Sequence, residues 1–446
     1  YPSLIETLYT LGMSLTNDLS ASLIAWLFGF MMILSILSFC KRYLTIKIGL
    51  LSATALCVTP LFAKLSIGTL VDMAVGYYTF LAFYLILIYH NTNKQNLLIL
   101  SSIMIGLACA TKHSGLVPFV VLTIWLLILE IKRRKSHKHW LLHIIVFFLI
   151  AFLIPTPWYI KSYINMGNPT VVYFTKIFGG RNLLPSDDSN MIISWRYQQS
   201  FQSESAFANI KILKLLWRTF FNDVFFWSLG VFFLMSIPLL LMIKRMNKSI
   251  KYGLLYSAVI FILYSVVTDQ PRLIVPAFPF LFISASYAFH WAFEKNGSFA
   301  KILQIVVIIA LLPNIISIAR ASSLKYPVVM GLVSREQYLS NWVDIYDTIQ
   351  YVNKNLGDDV RILTIDPRGY YFDKPYIVGL QITQGFIRFD GIKNEKEMMN
   401  LLKTYGITHL LIKNKSSMTI PYIDKLIPRL KVIYSDEDVY LFAFKN

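Results

Sequence analysis

The residues able to do chemistry are few, and they lie at the ends of apolar runs. Asp72 opens the stretch Val71-Asp72-Met73-Ala74-Val75. A carboxylate there can bind a metal or orient a hydroxyl nucleophile. It can equally sit at a helix start, where the helix dipole favours it. Spacing leaves these two readings level, although ionisable residues at membrane depth often serve function. Lys112-His113, within Ala110-Thr111-Lys112-His113-Ser114-Gly115, offers a phosphate a point charge and a hydrogen-bonding ring. The plainer readings are a cation placed at a helix C-terminus and a polar surface histidine. Arg272, in Asp269-Gln270-Pro271-Arg272, is a candidate second phosphate ligand; otherwise it snorkels or pairs with Asp269. Glu6 faces either the same cavity or solvent. Lys161, Arg181, Arg196 and Arg218 lie in a long connection, where a few can reach an anionic headgroup and most are surface.

These residues must be positioned by membrane helices. Only 15% of the 446 residues are charged, the mean hydropathy is +0.56 and 56% are hydrophobic, against about 25% charged in soluble domains. Residues 2–15 are short and amphipathic, which suits a helix lying on the membrane surface. Apolar runs follow at 19–40, 47–65, 73–89, 96–111, 117–130, 139–157, 223–243, 252–268, 273–293 and 301–319. These predict about ten spans of the ~20 residues that a bilayer core requires. Cys40, Cys57 and Cys109 sit inside apolar runs without CxxC spacing, so they read as small packing residues rather than redox or metal groups.

Charge orients the spans. The net charge is +18, but the basic residues sit in short loops and not on a soluble face with interleaved aromatics, which argues against nucleic acid. About fifteen cations, among them Lys41-Arg42, Lys132 to Lys138, Lys244-Arg245 and Lys295, fall in alternate connections, as the positive-inside rule expects of the cytoplasmic side. The N-terminal segment, 66–72, 112–116, 158–222, 269–272 and everything after Arg320 then face outward. The expected organisation is a membrane domain over 1–320 with a long outer loop at 158–222, and an extracytoplasmic α/β domain over 321–446. The default location is the plasma (inner) membrane.

In that C-terminal domain Ser340-Asn341 is expected to cap a helix carrying Trp342, Val343, Ile345, Tyr346, Ile349 and Val352, ended by Gly357. Val360–Ile365, Ile407–Ile412 and Val439–Phe444 read as strands. Asn394 with Glu397 opens a further helix that Gly406 ends. No GxGxxG or P-loop pattern supports nucleotide binding.

One carboxylate and several cations facing one aqueous side of a helical bundle suit transfer of a sugar from a lipid phosphate. The cations stabilise the departing phosphate, and a carboxylate takes the acceptor's proton as it attacks the anomeric carbon. A single direct displacement inverts the anomeric configuration. No GxSxG elbow or HExxH pattern offers hydrolase chemistry. The rival class is a transporter or flippase for lipid-linked substrates. It predicts charges near mid-bilayer and pseudo-symmetric halves; here the charges cluster at outer helix ends and no internal repeat is visible. A non-catalytic assembly partner is the third reading.

YPSLIETLYTLG (1–12), LVDMAVGYYTFLAFY (70–84), GLACATKHSGL (106–116), PWYIKSYINMGNP (157–169) and QPRLIVPAFPFL (270–281) occur in an order and spacing that resemble the polytopic GT-C glycosyltransferases using polyprenyl-phosphate sugars. The likeness is to the branch of protein O-mannosyltransferases and lipid A aminoarabinose transferases, and SREQYLS (334–340) and GITHLLI (406–412) extend it into the C-terminal domain. The resemblance implies a membrane bundle with surface helices in the first outer loop, a polyprenyl-phosphate-linked donor and an extracytoplasmic protein, lipid or glycan acceptor. Asp72 matches the family's second acidic position, which in some relatives helps bind a metal, so a divalent metal stays open with Asp72 as its ligand. Lys112 and Arg272 match basic positions near the lipid phosphate. The family's main catalytic Asp, usually in an Asp-Glu pair just after the first span, is expected to precede Tyr1; neither Asp18 nor Glu6 matches its position. On that reading the fragment from Tyr1 onward is expected to be inactive by itself.

Overall fold

The computed structural model describes residues 2–133, 140–170, 174–180, 230–267, 270–295, 297–379, 392–413 and 422–444, together with 215, 387 and 389. Most of the 158–222 loop, with Arg181, Arg196 and Arg218, lies outside the described residues, as does Asp269. The chain forms two compact units, divided between Ser322 and Ser323.

In the membrane unit the amphipathic start becomes α1 (Leu4–Leu15). The apolar runs become α2 (Leu19–Tyr43), α3 (Ile46–Cys57), α4 (Pro60–Ile67), α5 (Asp72–Thr92), α6 (Gln95–Thr111), α7 (Leu116–Arg133), α8 (Trp140–Leu153) and α9 (Thr156–Met166). Four further helices cover Gly230–Met242, Lys248–Val267, Phe278–Phe293 and Ser298–Ser323. Among the described residues six helices are long and apolar enough to cross a membrane, or eight when each bent pair counts as one span. The run 47–65, read as one straight span, is instead two helices bent by 75° where Pro60 begins α4, because proline lacks the N–H that would continue the ladder. The run ending at Pro157 is likewise bent, by 49°, at Pro155. Trp158 and Tyr159 therefore lie inside α9 rather than in the outer loop, and Gly167, at φ 70°, closes that helix.

Burial ranks the helices. Within the most apolar windows, α5 is 78% buried and the Pro271–Phe293 segment 83%, against 22% for Ser298–Ser323. The first two are therefore the centre of the bundle, and the last leaves most of its apolar surface exposed. Phe80 and Phe83 of α5 meet Phe280 with ring centroids 5.0 and 4.3 Å apart, and Phe39 of α2 closes the group. At the far end of α5 from Asp72, Tyr89 donates to Glu130 at 2.9 Å and lies 2.8 Å from His143 Nδ1. Glu130 is fully buried, and this cluster joins α5, α7 and α8.

The second unit is a three-layer α/β domain. β1 (Ile362–Thr364), β2 (Tyr376–Val378), β3 (His409–Lys413), β4 (Lys431–Asp436) and β5 (Val439–Ala443) form one sheet in the order β2-β1-β3-β5-β4. β1 is parallel to β2 and β3, whereas β5 is antiparallel to β3 and β4. Alternation along the strands sends Leu363, Leu410 and Phe442 to the core under the helix Glu395–Thr404, and Ile362, Leu411 and Leu441 to the core under Tyr346–Asn355. The Asn394–Glu397 start and the Gly406 stop are present, with Gly406 at φ 66°. The expected cap at Ser340-Asn341 is not. Those residues lie inside a helix over Arg335–Trp342 that Ser334 and Gln337 close with a capping box, and a separate helix begins at Tyr346.

Candidate active site

The site grows from the first turn of α5. Ile5 and Tyr9 of α1 pack with Ala21 and Ala25 of α2 and with Val71 and Ala74, which holds the surface helix against the start of α5. Asp72 is 3% exposed and stands in the first turn of its helix, just past the N-cap Val71. Its Oδ1 accepts from Lys112 Nζ at 2.7 Å. Lys112 reaches it from an extended residue between α6 and a short 3-10 turn, His113–Gly115. That turn is tight because Gly115 approaches α6 so closely that a Cβ on it would lie 2.5 Å from the Ala108 backbone. Tyr264 of the Lys248–Val267 helix secures the turn from the other side, donating to the Ser114 carbonyl at 2.6 Å.

Glu6 completes the group. It stands in the first turn of α1, close enough for its charge to interact with both Lys112 and Asp72. The side chain is accessible, yet the protein packed around it desolvates the carboxyl and raises its pKa above the ordinary 4.5; Lys112 opposes the rise and Asp72 adds to it. The Tyr9 phenol, one turn along, is pushed up to about 12 by its burial and by Glu6 and Asp72.

Arg272 enters through a second segment. Gly76 lets Val275 pack against α5, since a Cβ there would come within 2.5 Å of Val275 Cγ1. Arg272, three residues before Val275 in the same 3-10 segment, therefore arrives at the Asp72 end of α5. Its Nε donates to Gln270 Oε1 at 3.0 Å, and Lys64 of α4 lies near enough for the two positive charges to interact. Lys64, Tyr9 and Tyr264 escaped the reading of the sequence. For Lys64 the signal was present, as a lysine following Pro60 within an apolar run.

The structure thus gathers Glu6, Asp72 and Lys112, sets Arg272 with Lys64, and places His113 against Tyr159 of α9 with ring centroids 5.7 Å apart. Lys161 is exposed on α9, and no ion pair among the described residues includes it. A metal fits this set poorly. Asp72 is bonded to an ammonium group, and among the described residues no three His, Cys, Asp or Glu side chains gather as a metal-binding group.

A helical bundle followed by an α/β domain is a fold this chain shares with two solved structures. Residues 2–158 match the family model described as dolichyl-phosphate-mannose-protein mannosyltransferase. The chain is similar to ArnT from Cupriavidus metallidurans bound to undecaprenyl phosphate, with a TM-score of 0.62 and 15% identity over 99% of this chain and 87% of that one. It is also similar to the Archaeoglobus fulgidus oligosaccharyltransferase in complex with Zn and sulfate, with a TM-score of 0.57 and 12% identity over 98% of this chain and 64% of that one. No curated protein matches the sequence.

Proposed function

We propose that the protein is a multi-pass membrane glycosyltransferase that moves a sugar from a polyprenyl-phosphate carrier to an acceptor outside the cytoplasm, with inversion at the anomeric carbon. The observation that carries this reading is the Lys112–Asp72 pair beside Glu6 at one end of the bundle. Asp72 is buried and already bonded to Lys112, so its work is to hold that ammonium group in place. Lys112, with Arg272 and Lys64, then meets the carrier phosphate and stabilises the charge it gains as the sugar leaves. Glu6 does not match the family's catalytic position, but it is the accessible carboxylate of this group, and its exposure beside Lys112 suits it to take the acceptor's proton. His113 and Lys161 belong to the wider donor-binding surface. The ArnT structure holding undecaprenyl phosphate supports the class of carrier. The outward side of the plasma (inner) membrane is the proposed location of the site and of the C-terminal domain.

The test is transfer of radiolabelled sugar from a polyprenyl-phosphate donor by the full-length protein. Lys112→Ala, Asp72→Asn and Arg272→Ala are each expected to lower kcat/KM by about 10²-fold or more, as removal of a transition-state donor does. Activity equal to wild type in all three defeats the assignment.

A further inference from the structure

The C-terminal unit carries a group of side chains for which sugar transfer has no use. They stand at the carboxyl edge of the parallel strands. The connection after β1 leads to β2 on one side, while β3 is followed on its other side by β5 and β4. In open α/β sheets, ligands bind in the crevice where neighbouring connections diverge in this way.

At the carboxyl ends of β1 and β3 stands an ionic quartet. Asp366 Oδ1 accepts from the backbone N–H of Arg368 at 2.9 Å and from its Nε at 2.8 Å, and Asp366 Oδ2 meets Arg368 Nη2 at 2.5 Å. The same guanidinium lies 3.6 Å from Asp344, which also pairs with Lys413 at the end of β3. Beside the quartet runs a row of rings. Tyr346 meets Tyr371 edge-on at 5.3 Å, Tyr371 meets Tyr370 at 5.2 Å, and Tyr370 is 53% exposed. The loop that carries Tyr370 and Tyr371 is held to the Tyr346–Asn355 helix, since Asn353 donates to the Tyr371 carbonyl at 2.8 Å and accepts from the Asp373 N–H at 2.9 Å.

Stability alone does not account for this arrangement, because partly exposed ion pairs each contribute only a little to it. The quartet balances two cations against two anions, so it favours neither a free anion nor a free cation. The Arg368 fork is engaged by Asp366, so what the group presents is carboxylate acceptors held in place by that fork, with an exposed aromatic face alongside. Those groups match the adjacent hydroxyls and the C–H face of a pyranose ring. We propose that this edge, formed by Asp344, Asp366, Arg368, Lys413 and Tyr370, is a binding subsite for a neutral saccharide. The inference stands apart from the transferase reading, since binding is measured without donor or turnover.

Saturation-transfer NMR on the detergent-solubilised full-length protein tests it, using methyl mannoside, chitobiose, cellobiose and maltotriose, with sorbitol and inorganic phosphate as acyclic and anionic comparisons. At least one cyclic saccharide is expected to bind while sorbitol does not. Arg368→Lys, which keeps the charge and loses the fork, and Tyr370→Ala, at an exposed position, are each expected to raise its Kd about tenfold or more. Lys354→Gln, elsewhere on the adjoining helix, is expected to leave Kd unchanged. The proposal is overturned if no saccharide binds, if Kd is the same in both site variants, or if phosphate displaces the bound sugar.

Discussion

At the scale of the residue, the informative fact is that two carboxylates beside one lysine differ in environment. Asp72 is bonded and enclosed, whereas Glu6 is accessible with its pKa raised by desolvation. If Glu6 is the base, kcat/KM must fall on acidification with a midpoint above the ordinary 4.5. Glu6→Gln is expected to lower the rate by roughly 10²-fold or more and to remove that limb. An unchanged pH profile in the variant excludes Glu6 as the base. The raised pKa also has a sign for folding: the folded state holds the proton more tightly, so Glu6 costs stability as pH rises from 4.5 through its folded value. The sequence made Asp72, Lys112 and Glu6 individually conspicuous. It could not show that the first two are bonded, because 40 residues separate them and no periodicity links separate membrane helices. Arg272 illustrates a related limit: its Nε donates to Gln270, two residues away, a neutral partner that charge patterning does not single out.

At the scale of the element, the turn between α6 and α7 is what aims Lys112. Gly115→Ala places a methyl group 2.5 Å from the backbone of Ala108, and backbone cannot yield as a flexible side chain can. The cost expected for such overpacking is about 1–3 kcal/mol, seen as a lower thermal midpoint together with reduced transfer. A variant as stable and active as wild type contradicts the role given to this turn. The spans were legible because apolar runs of membrane length have few other uses. Their breaks were not, since a proline within an apolar run signals a kink without giving its angle. In the C-terminal unit the buried strands β1, β3 and β5 were readable. β2 and β4 were missed because they are the two edges of the sheet: β2 has three residues, and β4 is mostly accessible and so lacks a continuous buried run.

At the scale of the whole molecule, two units of different solvent environment answer differently to acid. In the C-terminal unit the bond from Lys413 holds the Asp344 carboxyl below its ordinary 3.8. Asp366 is also held below 3.8; burial opposes this, and the Arg368 bonds outweigh it. A depressed carboxylate stabilises the fold fully above its unfolded value and loses that contribution as pH falls through the folded one. Amide exchange in β1 and β3 is therefore expected to quicken as pH drops below 3.8, after correction for intrinsic rates, and to do so less in Asp344→Asn. Equal acid sensitivity in the variant removes the quartet from that account. The change of composition near residue 325 made two environments visible in the sequence, while the quartet depends on a strand order that no local pattern encodes.

The buried cluster at the other end of α5 bears on how the protein is made. Glu130 is an acidic residue fully enclosed within a spanning helix, and a charged side chain at the centre of a span raises insertion free energy by about 2.5–3.5 kcal/mol, less toward its end. Synthesis runs from α5 to α7 to α8. Tyr89 therefore leaves the ribosome before Glu130, and of the two partners its hydroxyl is the first synthesised; His143 follows one helix later. Biogenesis has its own order, donor before acceptor, written in the sequence from N- to C-terminus.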